Sequence, residues 1–258
     1  MRRQIIRRVS KSAKAGQALA FFSVVLGVVA SLAHRFGQID TLSFLIVGAV
    51  AVGIAFLALG LAVFGLWRMW NEGAKAGNAV LRTFLFASLT LSPLAAALVM
   101  GLQTPLINDV STDWASPPQF PIGSRIDVIP PFAEPKSQTE IAQMQAEAYP
   151  DIVSQKLTIE TQLAEQIIRT SAKTMGWEPT TRSGSIVSAD GAIQGFETRS
   201  LIFGFTDDIV VRLKKTDGVL IMDVRSTGRA GEADLGAHAK RIRGFFAAFA
   251  SEQRKRGI

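Results

Sequence analysis

The residues with the most chemistry to offer lie late in the chain. An aspartate pair, Asp207 and Asp208, precedes Arg212, and the stretch "DVRSTGRAGEADLGAHAKRIRGFF" (residues 223–246) adds Arg225, Arg229, Asp234, His238 and Arg241. An earlier run, "NDVSTD", adds Asn108, Asp109, Thr112 and Asp113. Asp234 and His238 are four residues apart, a spacing that puts both on one helix face, where with a further aspartate they would form a metal site. Arg225 and Arg229 offer planar forks for a carboxylate or a phosphate. The 108–113 run has the oxygen ligands for a hard cation, although such residues more often make Asx and ST turns. Asp207 and Asp208 beside an arginine would serve an enzyme as a polar centre. The plainer reading is an ion-paired network, with Arg212 bridging to Asp223 across strands and Asp207 or Asp208 capping a turn.

A strand feeding a helix through Gly228 and Gly231 resembles a phosphate cradle in outline only. A nucleotide loop needs lysine followed by Ser/Thr at the helix start, or a third glycine at defined spacing, and neither is present. Glu232 and Asp234 occupy the helix entrance instead, where carboxylates satisfy free N–H groups and repel phosphate. Both glycines then read as turn residues. No G-x-S-x-G elbow accompanies a serine, and the absence of cysteine excludes disulfides, thiolate zinc sites and thiol catalysis. No cofactor is expected.

The elements that must position these residues divide into two kinds. Residues 15–33, 42–66 and 80–102 are apolar runs long enough to cross a hydrocarbon core. Residues 1–102 carry ten Lys/Arg against two Asp/Glu, whereas residues 103–258 carry eighteen against nineteen. The basic excess therefore belongs to the membrane part, and nucleic acid is not an expected partner. Arg2, Arg3, Arg7, Arg8, Lys11 and Lys14 precede the first run, and Arg68, Lys75 and Arg82 surround the second connection. That pattern predicts a cytoplasmic N-terminus and an extracytoplasmic C-terminal domain at the inner (plasma) membrane. Cleavage after Ala33, as from a signal peptide, would leave the domain on the same side. The span interiors hold no ionisable residue, so they read as an anchor in the lipid bilayer rather than a transport path. Gly48, Gly53, Gly60 and Gly65 in the second run allow close helix packing, within a tight three-helix anchor or equally for self-association into a homo-oligomer or against another membrane subunit.

The expected organisation is a basic tail (1–14), a three-helix anchor (15–102), a proline-rich extended segment packing on the domain (103–156) and an α+β domain (157–258). Eight of the ten prolines fall in the third part, with a short helix expected over 139–148. In the fourth, Thr158 and Gly176 should bound a helix, strands should follow over 177–181, 185–189 and 192–200, and Asp190-Gly191 should form a turn. A turn at Asp217-Gly218 sets the last hairpin, with Arg212 opposite Asp223, Leu213 opposite Met222 and Val211 opposite Val224. One face then holds Ile209, Val211, Leu213, Leu220, Met222 and Val224. A helix from Asp234 to about 251 turns Leu235, Ile242, Phe245, Phe246 and Phe249 inward. The fold class is thus three transmembrane helices followed by an antiparallel sheet of about five strands with helices on one face.

"LINDVSTDWASPPQF" (106–120), "AYPDI" (148–152), "FGFTDDIVVRL" (203–213) and "DVRSTGRAGEADLGAHAKRI" (223–242) resemble the family catalogued as domain of unknown function 1499. The resemblance implies a bacterial envelope or plastid protein and carries no established activity. The family pattern has a second serine after "DVRS" and an asparagine at position 238, so Thr227, Gly228 and His238 depart from it. The leading expectation is a membrane-anchored envelope protein whose periplasmic domain binds a protein partner or a small anionic ligand through the Arg225, Arg229, Asp207 and Asp208 surface. The alternatives are an enzyme acting on an envelope substrate and a structural subunit of a membrane complex.

Overall fold

The computed structural model describes residues 10–121, 129, 134–180, 186–188 and 191–258. Arg2, Arg3, Arg7 and Arg8 of the basic tail lie outside these residues, as do Asp190 and part of the proline-rich segment. The chain divides into two compact units, residues 1–99 with 202–204, and residues 100–201 with 205–258.

The first unit is helical: α1 (Lys11–Arg35), α2 (Thr41–Glu72) and α3 (Gly77–Gly101). All three are long and apolar enough to cross a membrane. At 1.5 Å per residue even the shorter two run to about 37 Å, against a hydrocarbon core of roughly 30 Å. Ser10 caps α1 by accepting from the Ala13 N–H, Asp40 caps α2 by accepting from Ser43, and Gly73 ends α2 in the left-handed region at φ 67°. α1 and α2 meet through small residues. A Cβ on Gly16 would lie 2.9 Å from the Ala58 carbonyl oxygen, and one on Gly65 would lie 2.9 Å from the Ala13 Cβ. Within the chain Gly65 is closely packed, whereas a Cβ on Gly48, Gly53 or Gly60 would meet nothing within 4 Å. Ser23 and Thr90 share a 2.9 Å hydrogen bond that ties α1 to α3.

The second unit is built on an antiparallel sheet in the order β1-β7-β6-β5-β3, with β2 also on β7 and β4 also on β5. Its strands are β1 (Asp109–Ser111), β2 (Gln155–Leu157), β3 (Glu178–Pro179), β4 (Ile186–Ser188), β5 (Gly191–Arg199), β6 (Thr206–Thr216) and β7 (Val219–Gly228). Among the described residues that is seven strands rather than about five. The additional β1 and β2 come from the proline-rich segment, where three-residue strands show no alternation to read. The last hairpin has the expected register, Leu213 with Met222, Arg212 with Asp223 and Val211 with Val224. Asp217 and Gly218 both take positive φ, 51° and 80°, as the favoured two-residue turn demands.

Three helices complete this unit: α4 (Gln138–Ala148), α5 (Thr161–Thr174) and α6 (Ala237–Lys255). A capping box of Ser137 and Glu140 starts α4. α5 begins after Glu160, not at a Thr158 cap, and passes into the left-handed Gly176 at φ 72°. α6 begins three residues later than the sequence suggests, because Leu235 and Gly236 are both left-handed, at φ 53° and 81°, and break the helical path. Ile242, Phe245 and Phe249 are buried in the core with Ala164, Ile167, Ile168 and Ala172 of α5, while Phe246 is partly buried. They pack with the expected apolar side chains of β6 and β7, and Trp177 stacks on Phe245 at 5.1 Å. Each fully buried large side chain contributes on the order of 1.5–3 kcal/mol.

Candidate functional site

Side chains alternate along a strand, and here the alternation separates residues that are adjacent in sequence. Asp207 lies on the core face with Ile209 and Val211, and Asp208 lies on the opposite face with Val210 and Arg212. β7 follows the same rule: Ser226 and Gly228 are on the core face, and Asp223, Arg225 and Thr227 are on the other. The predicted polar residues therefore form two clusters, and Asp207, Asp208, Arg225 and Asp234 do not converge.

The second face carries three arginines, each held by carboxylates. Arg229 binds Asp208 through two bonds of 2.7 and 2.9 Å and reaches Glu197 at 2.8 Å. Glu197 stands opposite Asp208 in the ladder, which brings both within reach of one guanidinium. Arg225 donates to Asp109 at 2.6 Å and lies over the Phe120 ring, 5.1 Å from its centroid. Arg212 donates to Asp223 at 2.7 Å, to Asp113 at 2.9 Å and to the Ser116 carbonyl at 2.8 Å. Asp223 also accepts from Ser154 and Thr112. These bonds draw residues 112–120 along the face. Asp208 is 1% exposed and Asp223 2%, so these two carboxylates are buried, while the Asp113 and Glu197 side chains are 25% and 30% exposed. The expected Arg212–Asp223 bridge is present, whereas Asp207 and Asp208 each take an arginine instead of capping a turn.

The core-face cluster centres on His238. Its Nε2 lies 3.1 Å from Asn108 Oδ1, and its Nδ1 lies 3.0 Å from Ser226 Oγ and 2.6 Å from Arg241 Nη1. Asn108 donates through Nδ2 to the Gly231 and Ala230 carbonyls, which leaves Oδ1 as the acceptor facing the ring. His238 thus donates from Nε2, and Nδ1 accepts. Arg241 also donates to Asp207 and to Ser226 Oγ. Burial pushes the Asp207 carboxyl up, outweighing Arg241 beside it. Burial likewise raises Asp234, although its carboxylate accepts the His238 and Gly236 backbone N–H groups.

These contacts redefine several expected roles. Asp234 caps the α6 entrance through the His238 backbone, and both ring nitrogens of His238 have partners, so the pair is not arranged as metal ligands. Asn108, Asp109 and Asp113 diverge to His238, Arg225 and Arg212, so the 108–113 run does not gather around a cation. Among the described residues no three His, Asp or Glu side chains form a group that would hold a metal. Gly228 is the last residue of β7 rather than a turn residue. A Cβ there would lie 2.5 Å from Asn108 Oδ1, so glycine makes room for the asparagine. Gly231, at φ 89°, is a turn residue as expected.

Sequence reasoning missed Ser226, Glu197 and Gln145. Extending the β6 register to β5 would have found Glu197. Gln145, on α4, accepts from the Ser111 N–H and donates to its carbonyl, closing the outer edge of β1, and also accepts from the Trp114 indole. No local signal marks that role. Beside the two clusters lies a cavity of about 180 Å³ with an apolar wall that includes Ile107 and Ile141, and with Asn108, Asp109, Glu134, Lys136 and Glu232 among its polar lining.

The search of curated proteins and the search of solved structures each find no match to the chain. A family model, protein of unknown function (DUF1499), matches residues 109–249, more than half of the chain, from β1 into α6, and takes in both clusters apart from Asn108. On that match the chain belongs to the DUF1499 family.

Proposed function

We propose that this is a membrane-anchored envelope protein that works by binding, with three spans as anchor and the α+β unit as an extracytoplasmic binding module. The observation that carries the reading is the pairing of Arg212, Arg225, Arg229 and Arg241 with carboxylates of the same unit. A catalytic centre needs acid, base or anion-stabilising groups aimed at a space a substrate can enter, and these groups are aimed at one another. The same pairing argues against a free small anion at Arg225 and Arg229 and in favour of a protein partner. The cavity beside Asn108 is the proposed contact point, with an apolar wall for a side chain and a rim on which Glu134 and Glu232 outnumber Lys136, Asp109 being held by Arg225. A partner segment that is apolar with a basic flank fits it.

The test is thermal unfolding of the full-length protein in detergent with inorganic phosphate, divalent cations, lipid headgroups and short apolar-basic peptides, repeated on Glu232→Ala and Lys136→Ala. A peptide that raises the Tm of the parent and fails on Glu232→Ala supports the reading. Stabilisation by phosphate that is lost with Lys136→Ala would replace it with the anionic-ligand reading. Turnover of any envelope substrate abolished by Asp207→Asn would replace it with the enzyme.

A further inference from the structure

Within the helical unit, the start of α1, the end of α2 and the start of α3 meet around a cavity of about 660 Å³. Its lining comes from Lys14 and Gln17 of α1, Met69 of α2, the connection over 73–76, and the first three residues of α3. That volume lies in the range of roughly 300–1,000 Å³ common for small-molecule sites. The walls are held in place. Ala13, Ala62, Ala76 and Val80 form a buried cluster against which Met69 and Ala79 pack. The connection is tied to α1 as well, because the Ser10 N–H donates to the Lys75 carbonyl at 3.1 Å. Lys14 and Lys75, 61 residues apart in the chain and on different segments, are thus brought to one cavity by fixed backbone.

Among the described residues the lining holds these two lysines and no carboxylate. Glu72, the acidic residue beside it in sequence, is taken by Arg68 at 2.6 Å. Two ammonium groups on one cavity repel each other, and an anion seated between them reverses the sign of that interaction. The start of α3 adds donors at the same place: the Ala76 carbonyl accepts the Val80 N–H, and alanine has no side-chain oxygen to cap the N–H groups of Gly77, Asn78 and Ala79. Depth in the bilayer selects the anion. α2 has 32 residues and so runs to about 48 Å. A hydrocarbon core of roughly 30 Å cannot contain that length, so an end of α2 leaves it. Trp67 and Trp70 are exposed in the last turns of α2 beside Arg68, the aromatic and basic pairing of the headgroup zone, and Met69 of the cavity lies between them in sequence.

We propose that this cavity holds the headgroup of an anionic phospholipid, with Lys14 and Lys75 on its phosphate, the Gln17 and Asn78 amides on headgroup hydroxyls, and Met69 against the glycerol backbone. Bound lipid would tie α1 to the connection between α2 and α3. The inference requires only that the three helices cross a bilayer; it concerns the helical unit alone and does not rest on the binding reading of the α+β unit.

The test is native mass spectrometry of the full-length protein in detergent, titrated with phosphatidylglycerol and, separately, with phosphatidylcholine. The expected result is retention of phosphatidylglycerol in preference to phosphatidylcholine, weakened about tenfold or more by Lys14→Gln combined with Lys75→Gln. Lys11→Gln combined with Arg82→Gln removes the same charge from exposed positions outside the lining and should leave the preference nearly unchanged. Gly77→Phe provides a variant of unchanged charge: a Cβ on Gly77 would meet nothing within 4 Å, so the ring is accommodated at the cavity and should displace the lipid. Equal retention of the two lipids by the parent overturns the proposal. Equal losses in the two double variants overturn it too, because attraction is then a property of the whole basic surface. Undiminished binding to Gly77→Phe overturns it by showing that the headgroup does not enter the cavity. Displacement of the lipid by equimolar inorganic phosphate would assign the cavity to a soluble anion instead.

Discussion

At the residue scale, burial decides what each ion pair is worth. Arg229 holds an Asp208 that is 1% exposed, whereas Arg243 holds Asp151 with both side chains about half exposed. Removing the guanidinium from a buried carboxylate costs about 3–5 kcal/mol, and an exposed pair contributes about 0–1 kcal/mol. Arg229→Met is therefore expected to lower the urea midpoint of the α+β unit strongly, and Arg243→Ala to leave it nearly unchanged. Asp207 supplies a pH signature. Its carboxyl is raised mainly by burial, so the folded state holds its proton more tightly than the unfolded state does. That contribution is present below the ordinary aspartate value and is lost as pH rises through the raised folded value. The stability of the parent relative to Asp207→Asn should then fall as pH rises through that window, measured by urea unfolding at a series of pH values. A difference that grows with pH would contradict the buried assignment.

At the element scale, the β6–β7 hairpin is the feature most open to reading from sequence and the one on which both clusters depend. Asp-Gly selects a two-residue turn whose backbone twist matches the strands, and the two-residue period then assigns every side chain to a face. Gly218 sits at φ 80°, where a Cβ collides with the backbone. Gly218→Val should cost about 1–2 kcal/mol, with hydrogen exchange in Leu213–Met222 accelerating before that in α5. Fast exchange confined to residues 217–219 would show that the turn does not set the register. α6 was less legible: its apolar stripe predicted the buried Phe245 and Phe249, but its start moved because Leu235 adopts a left-handed conformation that the pattern does not encode. β1 and β2 were not legible at all, since three-residue strands exist only through the β7 groups they pair with.

At the scale of the whole molecule, the charge asymmetry and the three apolar helices bear on how the chain is placed across the membrane. Under the proposed topology, a membrane-impermeant maleimide should label Lys255→Cys in intact cells, and Lys75→Cys only after the membrane is permeabilised. Both positions are exposed, so access reports sidedness rather than burial. The reverse labelling pattern would place the α+β unit in the cytoplasm and remove the envelope reading.

The sequence alone determined the three spanning runs, the α+β class, the register of the last hairpin and the Arg212–Asp223 bridge. Each rests on a local signal: a continuous apolar run, a turn dipeptide or a two-residue period. Only the tertiary structure decided which carboxylates hold the other arginines. Asp109 meets Arg225, Glu197 and Asp208 share Arg229, and Asn108 crosses from one edge of β7 to His238 on α6. Those partners lie 21 to 130 residues apart along the chain, so no spacing rule relates them. They become neighbours because β7 is paired on both sides and because α6 packs against its core face.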